Sequence, residues 1–368
     1  MLTASLPFRI LYRYIYVSEF KEVVDRFRPE ILNSSKSSVL FLSSFEEQKQ
    51  CNPFKVLGVS NGLILYCLSG SLIYYVCDPV TRQWVTLPRA RYKSPNKTHP
   101  MFFGEGIVSK VNEDNVLTSY TVARVELLIS SIPYLSFQTF SSETGKWIEY
   151  KLRCTNPIAL MKRDAGPITF NGALHWFVYV HGMIAFDPYK DPKSCRFIRF
   201  PDDRQVENVN RHDWIYRLCD ACQGKLRFFE VARDSCSFYC FSMWEKKDYE
   251  RGEWCSAFKV TRSDLSSSDP ELNSCLVKAA FFPLSFHPFN LDIVYLRCVD
   301  LACVVSYSIQ DKRLDVVFRP IGVMNDLFWH LVIPFVIPRW PTPVPIPSVP
   351  KKAGRSKAAH RRRFRSHT

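Results

Sequence analysis

Four thiols, Cys219, Cys222, Cys236 and Cys240, stand at C-x2-C-x13-C-x3-C, a spacing close to that of zinc ribbons, where four thiolates hold one structural ion. Against that chemistry, residues 223–230 and 238–244 read as two strands of one sheet, and a sheet supported by neighbouring sheets needs no ion. Gly58-Val59-Ser60-Asn61-Gly62 matches the G-x-S-x-G of acyl-transfer enzymes. A nucleophile elbow requires a helix directly after its serine, and Leu63-Ile64-Leu65-Tyr66-Cys67 is a strand run. His175, between Leu174 and Trp176, reads as a strand residue satisfied by a backbone partner, since no carboxylate is spaced to orient it as a base. Phe103-Gly104-Glu105-Gly106 lacks the third glycine and the following helix of a phosphate-binding loop. Asp202, Asp203 and Asp311 are turn acids. The expectation is a non-enzyme with no catalytic residues, no metal and no cofactor.

The elements that would position such residues repeat. Tyr75-Val76-Cys77-Asp78-Pro79-Val80-Thr81-Arg82-Gln83-Trp84 and residues 138–147, Gln138 to Trp147, are two strand–turn–strand copies 63 residues apart. In each a β-branched or aromatic run leads in, Asp78 or Ser141 can accept bonds from turn N–H groups, and a tryptophan restarts the next strand. Weaker copies start at Ala185-Phe186-Asp187-Pro188, at Ser242-Met243-Trp244-Glu245 and at Val305-Ser306-Tyr307-Ser308. Glycine turns open further strands at Asn61-Gly62, Asn171-Gly172 and Gln223-Gly224, the last two 52 residues apart and the first two 110 apart. A period of about 50 residues holding several short strands predicts the blades of a β-propeller and excludes helical solenoids. Trp84 and Trp147 are expected at equivalent buried positions.

These residues also carry a family resemblance. Asn61-Gly62-Leu63, the stretch from Cys77-Asp78-Pro79 to Leu87-Pro88, residues 140–147, Asn171-Gly172-Ala173-Leu174-His175-Trp176, Ala185-Phe186-Asp187-Pro188, Trp244 to Tyr249 with Trp254, and Ile293-Val294-Tyr295-Leu296 resemble the plant F-box-associated domain in order and spacing. The resemblance covers roughly residues 54–318. It implies a kelch-like β-propeller that presents substrate proteins to a Skp–cullin–F-box ubiquitin ligase, with an F-box docking onto a Skp-type adaptor and a cullin.

The N-terminus departs from that pattern. An F-box would show two Leu-Pro steps, acidic residues and an Ile-Leu helix, whereas Ser5-Leu6-Pro7 leads into the basic, aromatic Phe8-Arg9-Ile10-Leu11-Tyr12-Arg13. Ser18 could cap a short helix carrying Phe20, Val23, Val24 and Phe27 at i, i+3, i+4 and i+7. Residues 1–50 therefore read as a degenerate or missing F-box, and the chain as given is expected not to bind the adaptor.

Length and composition fit a large core of stacked sheets: 368 residues, 46% hydrophobic, with 28 Phe. The net charge is +14, and eight positive charges with no acid fall in residues 351–368, leaving +6 for the rest. That tail is expected to be disordered, a nuclear import signal or simply a solvated run. Pro334, Pro338, Pro341, Pro343, Pro345, Pro347 and Pro350 come too close together for a helix or central strand and predict an extended spacer, or a ligand for an aromatic-lined groove. Arg9 and Arg13 break any N-terminal apolar run, and the 13 cysteines suit buried, reduced thiols.

The expected organisation is an N-terminal segment over residues 1–50, an all-β kelch-like propeller of five or six blades over 51–333, and a Pro-rich spacer with basic tail over 334–368. Its function is expected to be protein binding, in the nucleus or cytoplasm, with no membrane contact and nucleic acid an improbable partner. The alternative is a stand-alone propeller that lacks ligase docking. Connections 89–100, 202–213 and 261–273 are expected to set the partner.

Overall fold

The computed structural model describes residues 8–14, 21–24, 54–68, 73–90, 102–127, 132–158, 167–178, 182–201, 216–233, 239–276, 278–319, 330–336 and 343–348. Strands β1 (Phe8–Tyr14) and β2 (Lys21–Val24) come first. Blade 1 is β3 (Phe54–Ser60), β4 (Leu63–Leu68), β5 (Tyr74–Asp78) and β6 (Gln83–Thr86). Blade 2 is β7 (Phe102–Val111), β8 (Leu117–Leu127), β9 (Ile132–Ser141) and β10 (Lys146–Ile158). Blade 3 follows with β11 (Ile168–Phe170), β12 (Ala173–Val178), β13 (Gly182–Phe186) and β14 (Arg196–Arg199). Blade 4 is β15 (Tyr216–Cys222), β16 (Lys225–Arg233), β17 (Tyr239–Asp248) and β18 (Glu253–Thr261). Blade 5 is β20 (Phe281–Phe286), β21 (Ile293–Cys298), β22 (Cys303–Ser308) and β23 (Arg313–Phe318), with β19 (Ser266–Ser267) added in parallel beside β23. The last strand, β24 (His330–Val336), pairs with β1.

The protein is thus a five-bladed β-propeller, each blade an antiparallel meander whose first strand packs on the first strand of the next. Tight turns hold the meanders. Asn61, Asn171 and Gln223 and the glycines after them all take positive φ, the backbone that joins two strands through two residues without splaying them. At the hairpin between the third and fourth strands of each blade a short polar side chain caps the turn. Asp78 accepts from Val80 and Thr81, Ser141 from Glu143, Asp187 from Tyr189 and Lys190, Asp248 from Arg251, and Ser308 from Asp311. The template read from residues 75–84 and 138–147 therefore recurs in all five blades.

Phenylalanines fill the seams between blades. Phe137 of blade 2 stacks on Phe186 of blade 3 at 4.5 Å, Phe200 beyond blade 3 meets Phe228 of blade 4 at 4.6 Å, and Phe241 of blade 4 meets Tyr307 of blade 5 at 5.2 Å. Ring pairs at these separations add roughly 1 kcal/mol each to the area they bury.

Three expectations change. The N-terminal helix is not formed over residues 21–24, which are strand β2; Ser18, Phe20 and Phe27 lie outside the described residues. Pairing decides this: β1 lies between β2 and β24, with Leu11 opposite Glu22 on one side and Ile333 on the other. Residues 8–14, 21–24 and 330–336 thus meet in one three-stranded sheet whose β24 packs beside β20. Pro334 is tolerated there because β24 is an edge strand. Second, Trp84 and Trp147 hold equivalent places, opposite Cys77 and Phe140, but not equal burial. Trp84 is 38% exposed, whereas Trp147 is partly buried and donates its indole N–H to the Pro88 carbonyl at 2.7 Å. Trp254 of blade 4 repeats this contact with the Arg199 carbonyl at 2.8 Å. Each acceptor lies at or just beyond the end of the preceding blade's fourth strand, and the sheet before blade 1 has three strands among the described residues. Third, residues 343–348 of the Pro-rich stretch are not a free spacer; they pack on blades 1 and 2. The basic tail lies outside the described residues.

Candidate protein-interaction face

In a meander, successive turns alternate between the two ends of the sheet. The positive-φ turns and the capped turns therefore all fall at one end of the five blades. The other end receives every connection from the fourth strand of one blade to the first strand of the next. These connections are long: residues 87–101, 159–167, 200–215 and 262–280. The three segments expected to set specificity, 89–100, 202–213 and 261–273, are thereby gathered at one end, on a scaffold that holds their anchor points. Residues 91–100 and 202–213 themselves lie outside the described residues.

The 262–280 connection is described almost entirely and contains the one α-helix among the described residues, α1 (Pro270–Cys275). Asp269 caps it by accepting from the Leu272 N–H at 2.9 Å, and Pro270 takes the first turn, where its missing N–H costs nothing. Arg319 clamps the connection to the end of blade 5 through Asp269 and Glu271, both at 2.9 Å. Sequence reading passed over this helix, although Asp269-Pro270-Glu271 is a start signal. Six residues carry too little periodicity to stand out.

The seams below the face are tightly packed and polar at a few points. Arg124 of blade 2 is fully buried; its guanidinium donates to Gln138 Oε1 and, at 3.1 Å, to the Tyr74 hydroxyl of blade 1. In blade 4, Arg227 pairs with Glu245 at 3.0 Å and donates to the Leu291 carbonyl of blade 5 at 2.6 Å. Two capped-turn tyrosines reach backward. Tyr189 of blade 3 donates to the Val108 carbonyl of blade 2, and Tyr249 beyond β17 meets His175 of blade 3.

His175 is accordingly a seam residue. Its ring is fully buried, with Nδ1 3.2 Å from the Ile168 carbonyl and Nε2 2.7 Å from the Tyr249 hydroxyl. A neutral imidazole satisfies both: Nδ1–H donates to the carbonyl and Nε2 accepts from the phenol. Burial, the largest cause, lowers its pKa to about 4, with Arg196 adding to the effect against the opposing bond to Ile168. The unfolded chain, with a histidine pKa near 6.5, takes up a proton between pH 6.5 and 4 that the folded chain does not. Stability is therefore whole above pH 6.5 and is lost as pH falls to 4, by roughly 3 kcal/mol. Denaturant unfolding at pH 7 and pH 4.5 is expected to show this loss in the wild type and a smaller one in His175→Gln; equal losses would contradict it.

The cysteine and serine motifs resolve as strands. Cys219 and Cys222 are three apart on β15, so they face opposite sides, Cys219 among Leu226, Phe228 and Trp244, and Cys222 among Phe229, Phe286 and Val294. They cannot chelate one ion; Cys240 is buried on β17 and Cys236 lies outside the described residues. Ser60 ends β3 and shares a 2.9 Å hydroxyl bond with Ser109 of blade 2, and β4 follows where an elbow would need a helix. Gly104 and Gly106 lie within β7, and a Cβ on Gly106 would collide with Pro167 of the next connection. Asp311 is a turn acid beside Ser308.

A five-bladed propeller with packed, hydrogen-bonded seams and long connections gathered at one end defines a scaffold for holding another protein, a protein-interaction module. Residues 11–328 match the family described as F-box protein At3g26010-like, beta-propeller, and the chain belongs to that family. Among curated relatives from Arabidopsis thaliana, it is 24% identical to F-box protein At1g49990 over 343 residues, covering 85% of this chain and 76% of that one. It is also 24% identical to F-box protein At3g28330 over 352 residues, covering 88% and 80%. F-box protein At3g26010 itself is 25% identical over 262 residues, covering 70% of this chain and 56% of that protein. No helix among the described residues is long and apolar enough to cross a membrane.

Proposed function

We propose that this chain is the protein-capturing module of a substrate receptor of the Skp–cullin–F-box type, and that it binds its partner rather than transforming it. The observation that carries the reading is the gathering of the long inter-blade connections at one end of the propeller. Their charges differ: residues 87–101 hold Arg89, Arg91, Lys93 and Lys97 with no acid, and residues 200–215 hold Asp202, Asp203, Glu207 and Asp213 against Arg204 and Arg211. A partner would meet a basic sector and an acidic one, a pattern that fixes orientation. Affinity purification with mass spectrometry tests this. Retention of one or a few proteins supports the capturing role, whether or not adaptor and cullin peptides accompany them; no protein enriched over a mock bait contradicts it.

A second reading, a propeller without ligase docking, is favoured by β1 and β2. An F-box docks through helices whose Leu, Pro and Ile side chains fill an apolar groove on the adaptor, and such anchors dominate interface energetics. Residues 8–14 and 21–24 are committed to a sheet instead. Purified adaptor is therefore expected to associate with residues 1–368 only at background level. Micromolar or tighter association through residues 1–50 would contradict this. The basic run 351–368 is proposed to direct nuclear import, which tail deletion would abolish in a localisation assay.

A further inference from the structure

The seam between blades 1 and 2 is closed differently from the two that follow it. Tyr189 packs against the cluster shared by blades 2 and 3, and Tyr249 against that shared by blades 3 and 4; each comes from the later blade's own capped turn. The corresponding turn of blade 2, Ser142-Glu143-Thr144-Gly145, has no aromatic residue. Its place is taken by Val344, 3% exposed, which sits in the cluster holding Val76, Leu87, Val122 and Phe140, with Trp147 at the edge.

The segment around Val344 is bound by its backbone as well. The Val344 N–H donates to Gln83 Oε1 at 3.2 Å, and the Ser348 N–H donates to the Ser142 carbonyl at 3.1 Å. Prolines at 343, 345 and 347 leave N–H groups only on Val344, Ile346 and Ser348, so two of the three are used. Val344 is buried, Pro345 and Pro347 are half-buried, and Pro343, Ile346 and Ser348 are exposed. The pocket is also shaped to the segment. Gly145 has φ +64°, and a Cβ there would lie 1.9 Å from the Ser348 carbonyl oxygen; Gly172, at φ +74°, meets nothing within 4 Å.

We propose that the seam between blades 1 and 2 is a binding site for an extended peptide with alternating prolines and one aliphatic anchor, filled in cis by Pro343–Ser348. The site recognises such a ligand through the Val344 pocket, Gln83 and the Ser142 carbonyl, and its occupation by the chain's own segment keeps other peptides out. The inference is independent of what the opposite face captures.

Two experiments on the whole chain test it. In the first, a specific protease site is placed within residues 337–342 and the folded protein is cleaved. Fragment 343–368 is expected to co-elute with the body in size exclusion and to be displaced by a synthetic peptide of residues 341–350. The same peptide with Val344→Asp should displace it at least about tenfold less well. A fragment that separates from the body at every concentration, or equal displacement by the two peptides, would overturn the proposal. In the second, hydrogen exchange is followed in the uncut protein. The Val344 and Ser348 amides are expected to exchange at least about tenfold slower than that of Ile346, and Gly145→Ala, unlike Gly172→Ala, should abolish the difference. Equal rates at all three amides in the wild type, or equal effects of the two substitutions, would overturn it.

Discussion

Trp147→Ala and Trp254→Ala are each expected to destabilise the protein by about 3 to 5 kcal/mol, and Trp84→Ala by about 1 kcal/mol. All three tryptophans restart the fourth strand of a blade after the same turn. Trp147 and Trp254, however, also bridge to the preceding blade, through the Pro88 and Arg199 carbonyls. Each carries a cation over its ring, Arg124 at 5.4 Å and Lys246 at 4.2 Å. Truncation therefore opens a cavity, orphans a carbonyl and uncovers a charge, whereas Trp84, 38% exposed, leaves less behind. Urea unfolding of the three variants would show the split as two large midpoint shifts and one small. Three equal shifts would mean that the turn, and not the seam, sets the value of the tryptophan.

Leu11→Pro is expected to cost about 4 kcal/mol. Residue 11 sits in the middle of β1, paired on both sides, so a proline removes a ladder bond, leaves its partner unsatisfied and drives a ring into the neighbouring strand. Because β1 holds β24, the damage reaches both ends of the chain. A lower midpoint in one cooperative transition is the expected result. A wild-type melting curve would place residues 1–50 outside the cooperative unit, as a separate domain.

The difference between these two sites tracks what was legible in the sequence. Strand period, Asn-Gly turns and the acid or serine that opens each capped turn act over a few residues. Asp78, Ser141 and Asp187 therefore marked their hairpins correctly, and the expectation of a propeller of five or six blades followed from their repetition. The F-box-associated resemblance rested on the same local marks. Burial depends instead on what the preceding blade offers, so Trp84 and Trp147 looked alike although, among the described residues, only Trp147 has a fourth strand behind it. Residues 21–24 departed from the helix reading for the same reason. Their helical spacing is real, but a partner strand more than 300 residues away in sequence organises β1 and, through it, β2. The strap at 343–348 was legible as an extended proline segment, and its binding site was not, because that site is an absence: a turn in blade 2 without the tyrosine that the capped turns of blades 3 and 4 carry. The candidate face was legible only as three long connections; their shared end follows from the alternation of turns in a meander.

The central claim is that partners are held by the end of the propeller where the inter-blade connections gather. The most direct test replaces residues 89–100 and 202–213 with glycine–serine runs of equal length and compares retained proteins by quantitative mass spectrometry. Variants at the opposite end, Asn171→Gly and Gln223→Gly, serve as controls, since glycine tolerates their positive φ. The expected result is loss of the wild-type partners from the connection variants, with unchanged unfolding curves, and full retention by the controls. Partners retained without the connections and lost from the turn variants would contradict the claim and move the site to the other face.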